Sequence, residues 1–394
     1  MTQACRAAHR LRAIQTPVIP WMAELIREHP GTLFMGQGMV HWPPPEGTQH
    51  LIQAALENGA AIDAYGPVNG DPALIEALRR WLGRTQGLDL EGSSLLVSAG
   101  SNMAFNAVVQ VLCDLGDELI LPVPYYFNHQ MAIELAGGCA VAVEAGLIPD
   151  PERLAAAITP RTRAIVTVSP NNPSGAVIPA PVLEAINRLC ADRGLLHICD
   201  EAYALFQHGP IAVWSPGSQP GSAAHTITLG SLSKSHGMAG WRVGWAVVPQ
   251  ALMPALAKVQ DTILICPPRL IQQAAIGALE AGLEWCHERI AGLSQRRQRV
   301  LAALGASTQQ MERPWRVLGP ADGAFYALLQ LSTPLSSDVA MERLIRDHGV
   351  ALVSGSSFGL HQGCLRLSYG LLNDHDLATA LERLQGGLKA LCQD

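Results

Sequence analysis

The chain has 394 residues, 48% of them hydrophobic, which is enough to bury a sizeable core and long enough for two domains. A formal charge of −6 with no lysine- or arginine-rich run argues against a nucleic-acid scaffold, and no apolar run approaches the roughly 20 residues that cross a membrane. Nine cysteines, scattered without a Cys-x-x-Cys pair, point to neither a disulfide framework nor a zinc site, so a reducing cytoplasm and no metal are expected.

In chain order, Met1 to Thr16 carries Arg6, Arg10 and Arg12 and no acidic residue, and it lacks the apolar centre of a secretory signal; it reads as an N-terminal arm. From about Glu91 to Val248, short apolar runs alternate with amphipathic stretches, the pattern of a parallel sheet wrapped by helices. The expected strands are Leu95–Val97, Glu118–Leu121, Ala164–Val168, Leu195–Cys199, Thr226–Leu229 and Val243–Val248. Val182, Leu183, Ile186, Leu189 and Cys190 fall on one helical face. After Pro267-Pro268 the period turns helical through Ile271, Ala275, Leu279, Leu283 and Ile290, a connecting helix pair. A smaller module follows, with strands at Ala324–Leu329, Ala351–Val353 and Cys364–Leu367, a helix at Val339–Asp347 and a closing helix from Asp374.

Ligands of open α/β sheets bind beyond the carboxyl ends of the strands, so the residues just past each run matter most. Ser98-Ala99-Gly100-Ser101-Asn102 leads into a helix whose free amides suit a phosphate. Ser169 to Gly175 contains Asn172-Pro173-Ser174-Gly175; Asp200-Glu201-Ala202-Tyr203 follows Cys199; Gly230-Ser231 follows Leu229. Ser231-Leu232-Ser233-Lys234 then sets a lone lysine among hydroxyls, with Arg242 close behind in Gly240-Trp241-Arg242-Val243-Gly244. Each piece has an ordinary reading by itself: an N-cap at Ser101, a β-turn at Asn172, a solvated Lys234, an outward Arg366 on an alternating strand. Their joint order points to a phosphate ligand beside a reactive amine.

From Gly36-Gln37-Gly38 to Arg366 the chain resembles the class I/II aminotransferases, the aspartate aminotransferase superfamily of fold type I pyridoxal phosphate enzymes. The resemblance implies an α/β fold: a large domain with a mostly parallel seven-stranded sheet wrapped by helices, plus a smaller α+β domain formed by the N-terminal arm and the C-terminal part. The implied boundaries are 1–45 for the arm, 46–270 for the large domain and 271–394 for the connecting helices and small domain. The cofactor it implies is pyridoxal 5'-phosphate. Lys234 matches the lysine that holds it as a Schiff base and Asp200 the carboxylate paired with the pyridine nitrogen. Tyr203 and Asn172 match the pair at the ring hydroxyl, and Tyr126 the aromatic stacked on the ring. Ser101, Asn102, Ser231, Ser233 and Arg242 match the phosphate cup. Arg366, with Asn172 and Gly38, matches the clamp on the substrate α-carboxylate. Tyr65 matches a tyrosine that reaches a phosphate from the neighbouring subunit, so the implied form is a homodimer.

The activity implied is transfer of an amino group from an L-amino acid to a 2-oxo acid. Met39, His41 and Trp42 resemble the segment of members that take aromatic amino acids, methionine, kynurenine or glutamine, and Asn102 stands where some acid-specific relatives carry lysine. A carbon–sulfur β-lyase of the same fold and a non-catalytic homologue are the competing readings. A serine acyl-enzyme reading of Ser231-x-x-Lys234 lacks its Lys-Thr-Gly element, and a dinucleotide site at Gly36-x-Gly38 lacks the following helix.

Overall fold

The computed structural model describes residues 7–12, 14–59, 62–305 and 313–393. Thirteen strands follow in chain order among them: β1 (Leu33–Phe34), β2 (Ser93–Ser98), β3 (Glu118–Pro122), β4 (Cys139–Val143), β5 (Thr162–Val168), β6 (Leu196–Asp200), β7 (Thr226–Ser231), β8 (Gly244–Pro249), β9 (Trp315–Leu318), β10 (Tyr326–Leu331), β11 (Val350–Ala351), β12 (Val353–Ser354) and β13 (Cys364–Ser368).

Seven of them form the large sheet in the order β2-β8-β7-β6-β5-β3-β4. Central strands such as β5 and β6 read as continuous apolar runs because helices cover both faces, leaving Ile165, Val166, Ile198 and Cys199 buried. All six expected runs fall in this sheet. The seventh, β4, is an edge strand with Cys139 and Ala142 exposed, and its small residues give too weak a pattern to be read from sequence. The sheet is parallel except at β8, which runs antiparallel to both β2 and β7. That reversal has a functional result: the segment between the end of β7 and the start of β8 lies at the same sheet edge as the carboxyl ends of the other strands. Lys234 and Arg242 are both in it.

The second, antiparallel sheet has the order β12-β13-β10-β9. It shares one core with the helices Val18–Glu28, Gly282–Leu304, Ser337–His348 and Asp374–Leu391. The N-terminal segment joins this half through the parallel pair β1 and β11. The expected strand Ala351–Val353 divides here, because Ala351 pairs with β1 whereas Val353 pairs with Arg366 on β13. The expected strand from Ala324 begins two residues later: Ala324 has φ 53°, a left-handed backbone that no strand admits. Strand β9 was not anticipated.

Helix Arg269–Glu280 packs on helix Glu46–Asn58 through glycines. A Cβ added at Gly47 would lie 2.7 Å from the Gly277 carbonyl oxygen, and one at Gly277 would collide with the Gly47 carbonyl. Both neighbours are backbone and cannot swing aside. Gly277→Val should therefore force the helices apart and cost about 1–3 kcal/mol, read as a lower urea midpoint; an unchanged midpoint would show that the helices separate freely.

Candidate active site

The edges of the large sheet converge on a cavity of about 440 Å³. Its lining takes Ser101 and Asn102 from the start of helix Ser101–Leu112, Asn172 from the loop after β5, Asp200 from the end of β6 and Ser231 from the end of β7. Ser233, Lys234 and Arg242 come from the reversal between β7 and β8, and Arg366 reaches in from β13 of the small sheet.

One end of the cavity carries donors and no carboxylate. The first amides of helix Ser101–Leu112 have no partner within the helix. Ser231 Oγ donates to Ser233 Oγ at 2.6 Å, which leaves the Ser233 hydroxyl hydrogen free to point elsewhere. Arg242 adopts φ 57°, a left-handed backbone that costs a non-glycine residue about 1–2 kcal/mol, and its guanidinium holds the carbonyls of Ala239 and Ala99 at 2.8 and 3.3 Å. Gly100 beneath it has φ 90°, a backbone that residues with a side chain rarely adopt. Helix amides, two hydroxyls and a guanidinium at one end of the cavity can cradle a phosphate dianion.

The floor is Asp200, 4% exposed. Its Oδ2 pairs with His129 Nε2 at 3.1 Å and its Oδ1 accepts from the Ala202 amide at 3.1 Å. Helix Phe127–Leu135 supplies that buried histidine. A carboxylate so placed can face a cationic heterocyclic nitrogen. Lys234 Nζ donates to the Gly38 carbonyl. Burial holds its ammonium below the usual lysine range, at about 8, and the Arg366 and Arg242 charges add to the drop while Asp200 opposes it. An amine that loses its proton near neutrality is a nucleophile and a base.

Tyr203 OH and Tyr326 OH share a 2.6 Å hydrogen bond at the wall. Burial pushes the Tyr203 phenol well above its ordinary value and the Tyr326 phenol up to about 12. Tyr126 OH accepts from Asn128 Nδ2 at 2.7 Å and Asn102 Nδ2 at 3.4 Å. Opposite stands Arg366, 3% exposed and not the outward residue that alternation on a strand allows. Its Nη1 donates to Asn172 Oδ1 at 2.8 Å and its Nη2 to the Gly36 carbonyl. Its guanidinium lies 4.7 Å from the Tyr326 ring centre and 5.1 Å from that of Phe358. Arg366 Nε is buried without a partner, an orphan donor that a carboxylate can satisfy.

Of the residues marked from sequence, Gly38, Ser101, Asn102, Tyr126, Asn172, Asp200, Tyr203, Ser231, Ser233, Lys234, Arg242 and Arg366 line this one cavity. Tyr65 does not; it is 80% exposed on the surface of its own chain. Met39 lines the cavity, whereas His41 and Trp42 lie outside its lining. Tyr326, His129, Phe127 and Ile19 were not anticipated. Tyr326 was legible only as a strand residue, and His129 only as one more residue of a helix. Among the described residues no group of histidine, cysteine and carboxylate side chains is arranged to hold a metal, and no helix is long and apolar enough to cross a membrane.

The sequence and the fold both have relatives. Residues 37–384 match the family model described as aminotransferase class I and II. The chain is 32% identical over 395 residues to an aromatic aminotransferase of Arabidopsis thaliana, covering 98% of this chain and 96% of that one. It is 35% identical over 369 residues to an aspartate/prephenate aminotransferase of Thermus thermophilus, covering 91% and 92%. A solved structure of a Thermus thermophilus aspartate aminotransferase double mutant superimposes with a TM-score of 0.87 at 32% identity, covering 97% of this chain and all of that one. The chain belongs to the class I and II aminotransferases and has their fold. It is an aminotransferase, of a family whose members work with pyridoxal phosphate.

The electrostatics of Lys234 can be measured on cofactor-free protein. Its amine should be half-acylated by an amine-specific reagent near pH 8. Arg366→Ala, which removes a cation, should move that midpoint upward; a midpoint near the ordinary lysine value of 10.5 in the wild type would contradict the assignment.

Proposed function

We propose that the cavity binds pyridoxal 5'-phosphate, with Lys234 as its covalent anchor, and that the enzyme moves an amino group from an L-amino acid of aromatic, methionine, kynurenine or glutamine type to a 2-oxo acid. The observation that carries this reading is the meeting, in one cavity, of a depressed lysine, a histidine-backed buried carboxylate and a donor-only cradle. Each suits a different part of the cofactor: carbonyl carbon, ring nitrogen and phosphate.

When bound, the cofactor supplies an electron sink for the charge released at the substrate Cα. Asp200 keeps the ring nitrogen protonated, with His129 fixing the carboxylate. Ser101, Asn102, Ser231, Ser233 and Arg242 hold the phosphate. Tyr126 would cover the ring face, and Tyr203 and Asn172 would serve the ring hydroxyl. The Arg366 guanidinium takes the substrate α-carboxylate, its free Nε supplying a donor that Asn172 and Gly36 leave unused. Lys234 Nζ, once free as an amine, would be the base placed to take a proton from the substrate Cα and to hold it for return.

Support for an uncharged substrate side chain comes from the lining. Ile19, Met39 and Phe127 are apolar, and the cations of the lining are Lys234, Arg242 and Arg366, each already assigned. None remains among them for a second carboxylate. The active form we infer is a homodimer in which Tyr65 reaches the partner's phosphate. The Gly66 amide donates to Cys266 Sγ at 3.3 Å, joining the backbone next to exposed Tyr65 to that next to exposed Ile265, and a second copy would cover both. A cytoplasmic enzyme is the location that fits the unpaired cysteines.

Screening amino donors against 2-oxoglutarate and pyruvate tests the assignment. Lys234→Ala should admit the cofactor and abolish turnover, and retained steady-state activity would refute the anchor. Arg366→Ala should chiefly raise the KM for amino donors; an unchanged KM would place the carboxylate elsewhere. Pyruvate formed from cystathionine with no 2-oxo acid present would point to β-elimination instead.

A further inference from the structure

Directly after Asp200 the chain buries a second carboxyl. Glu201 is 4% exposed and lines a separate cavity of about 20 Å³, which shares Ala202 and Ser231 with the large one. Its Oε1 accepts from Ser215 Oγ at 2.7 Å, and its Oε2 lies 2.5 Å from the Gln86 side-chain amide.

No cation offsets it: none of the ion pairs among the described residues includes Glu201. The titratable groups facing it are Asp200 and the Cys199 thiol, the last two residues of β6 immediately before it. Helix Pro72–Gln86 brings the Gln86 amide with the uncharged Trp81 and Thr85, and the turn at 215 brings the Ser215 hydroxyl. Around the small cavity, Trp81, Thr85, Ser231, Ser235 and Trp245 carry no charge.

The Gln86 contact is the telling one. The contact from Gln86 Nε2 to Glu201 Oε2 satisfies only one end of that amide. Gln86 Oε1, meanwhile, is buried with no partner. The two ends of a glutamine amide exchange by a simple flip. Turned over, Oε1 becomes the acceptor of a proton on Glu201, and the amide nitrogen faces a cavity with room for one water.

We propose that Glu201 is held as a neutral acid at neutral pH, a positioning residue that donates to Gln86 and leaves Asp200 as the sole anion beneath the cofactor pocket. Burial pushes the Glu201 carboxyl up to about 8, against the hydrogen bonds from Ser215 and Cys199, and the Asp200 charge adds to the rise. Ionisation above that pH would set a second negative charge directly beside Asp200.

The test uses the full-length enzyme and readouts independent of turnover, so its outcome is separate from that of the amino-transfer reading. At about pH 6 the infrared spectrum should contain a protonated-carboxyl stretch that is missing from Glu201→Gln and fades in the wild type with a midpoint near pH 8. A wild-type spectrum without it would overturn the proposal. A raised carboxyl lends stability fully below its unfolded value of 4.5 and loses it as pH climbs through 8. The thermal midpoint of Glu201→Gln should therefore gain on the wild type by on the order of 5 °C between about pH 5 and pH 8, then level off; a constant difference would contradict the neutral acid. Should that variant not fold, Ser215→Ala, which removes a donor favouring the ionised form, must move the loss of the band to higher pH. A band that stays put in Ser215→Ala would place the proton on another residue.

Discussion

A carboxylate buried at the end of a central strand is the constraint on which this site depends. Asp200 is removed from water and compensated by one histidine ring and one backbone amide. An isolated buried charge is costly, so the surroundings must provide a cation when the enzyme works. The pyridinium of the proposed cofactor is that cation, and its position follows from the strand end. The phosphate cradle, the lysine and Arg366 line the same cavity as that strand end.

The second organising feature is the repulsion among cations on the opposite side. Lys234 shares the cavity with Arg242 and Arg366, and both guanidiniums disfavour its ammonium. Asp200 pulls the other way, so the proton affinity of Lys234 reflects a balance set by burial and by three charges. The antiparallel turn of β8 makes the arrangement possible, because a parallel strand there would carry Arg242 to the far edge of the sheet.

The sequence made legible those parts of the site that sit immediately after strong apolar runs. Asp200, Asn172 and Ser231 follow β-branched or leucine-rich strands that could be read directly, and Ser101 follows Leu95-Leu96-Val97. Arg366 was legible through the order of motifs only; by pattern alone it could have faced solvent. His129 and Tyr326 could not be found, because their roles arise from tertiary approach: one helix laid across a strand end, and a small-sheet strand brought over the large sheet. The same limit hid β4 and β9, whose pairing is decided by neighbours more than by their own residues. Gln86 and Trp245, far apart in sequence, meet Glu201 only once the sheet and helix Pro72–Gln86 are packed.

The claim that the lysine and the strand-end carboxylate share one bound coenzyme can be put to a single measurement. Purified protein saturated with pyridoxal phosphate is reduced with borohydride, digested and mapped by mass spectrometry. The account predicts that the coenzyme is recovered on the peptide at position 234, in near-stoichiometric amount, and that Asp200→Ala weakens its retention. Coenzyme recovered on Lys258 or Lys389, or on no peptide at all, would contradict it.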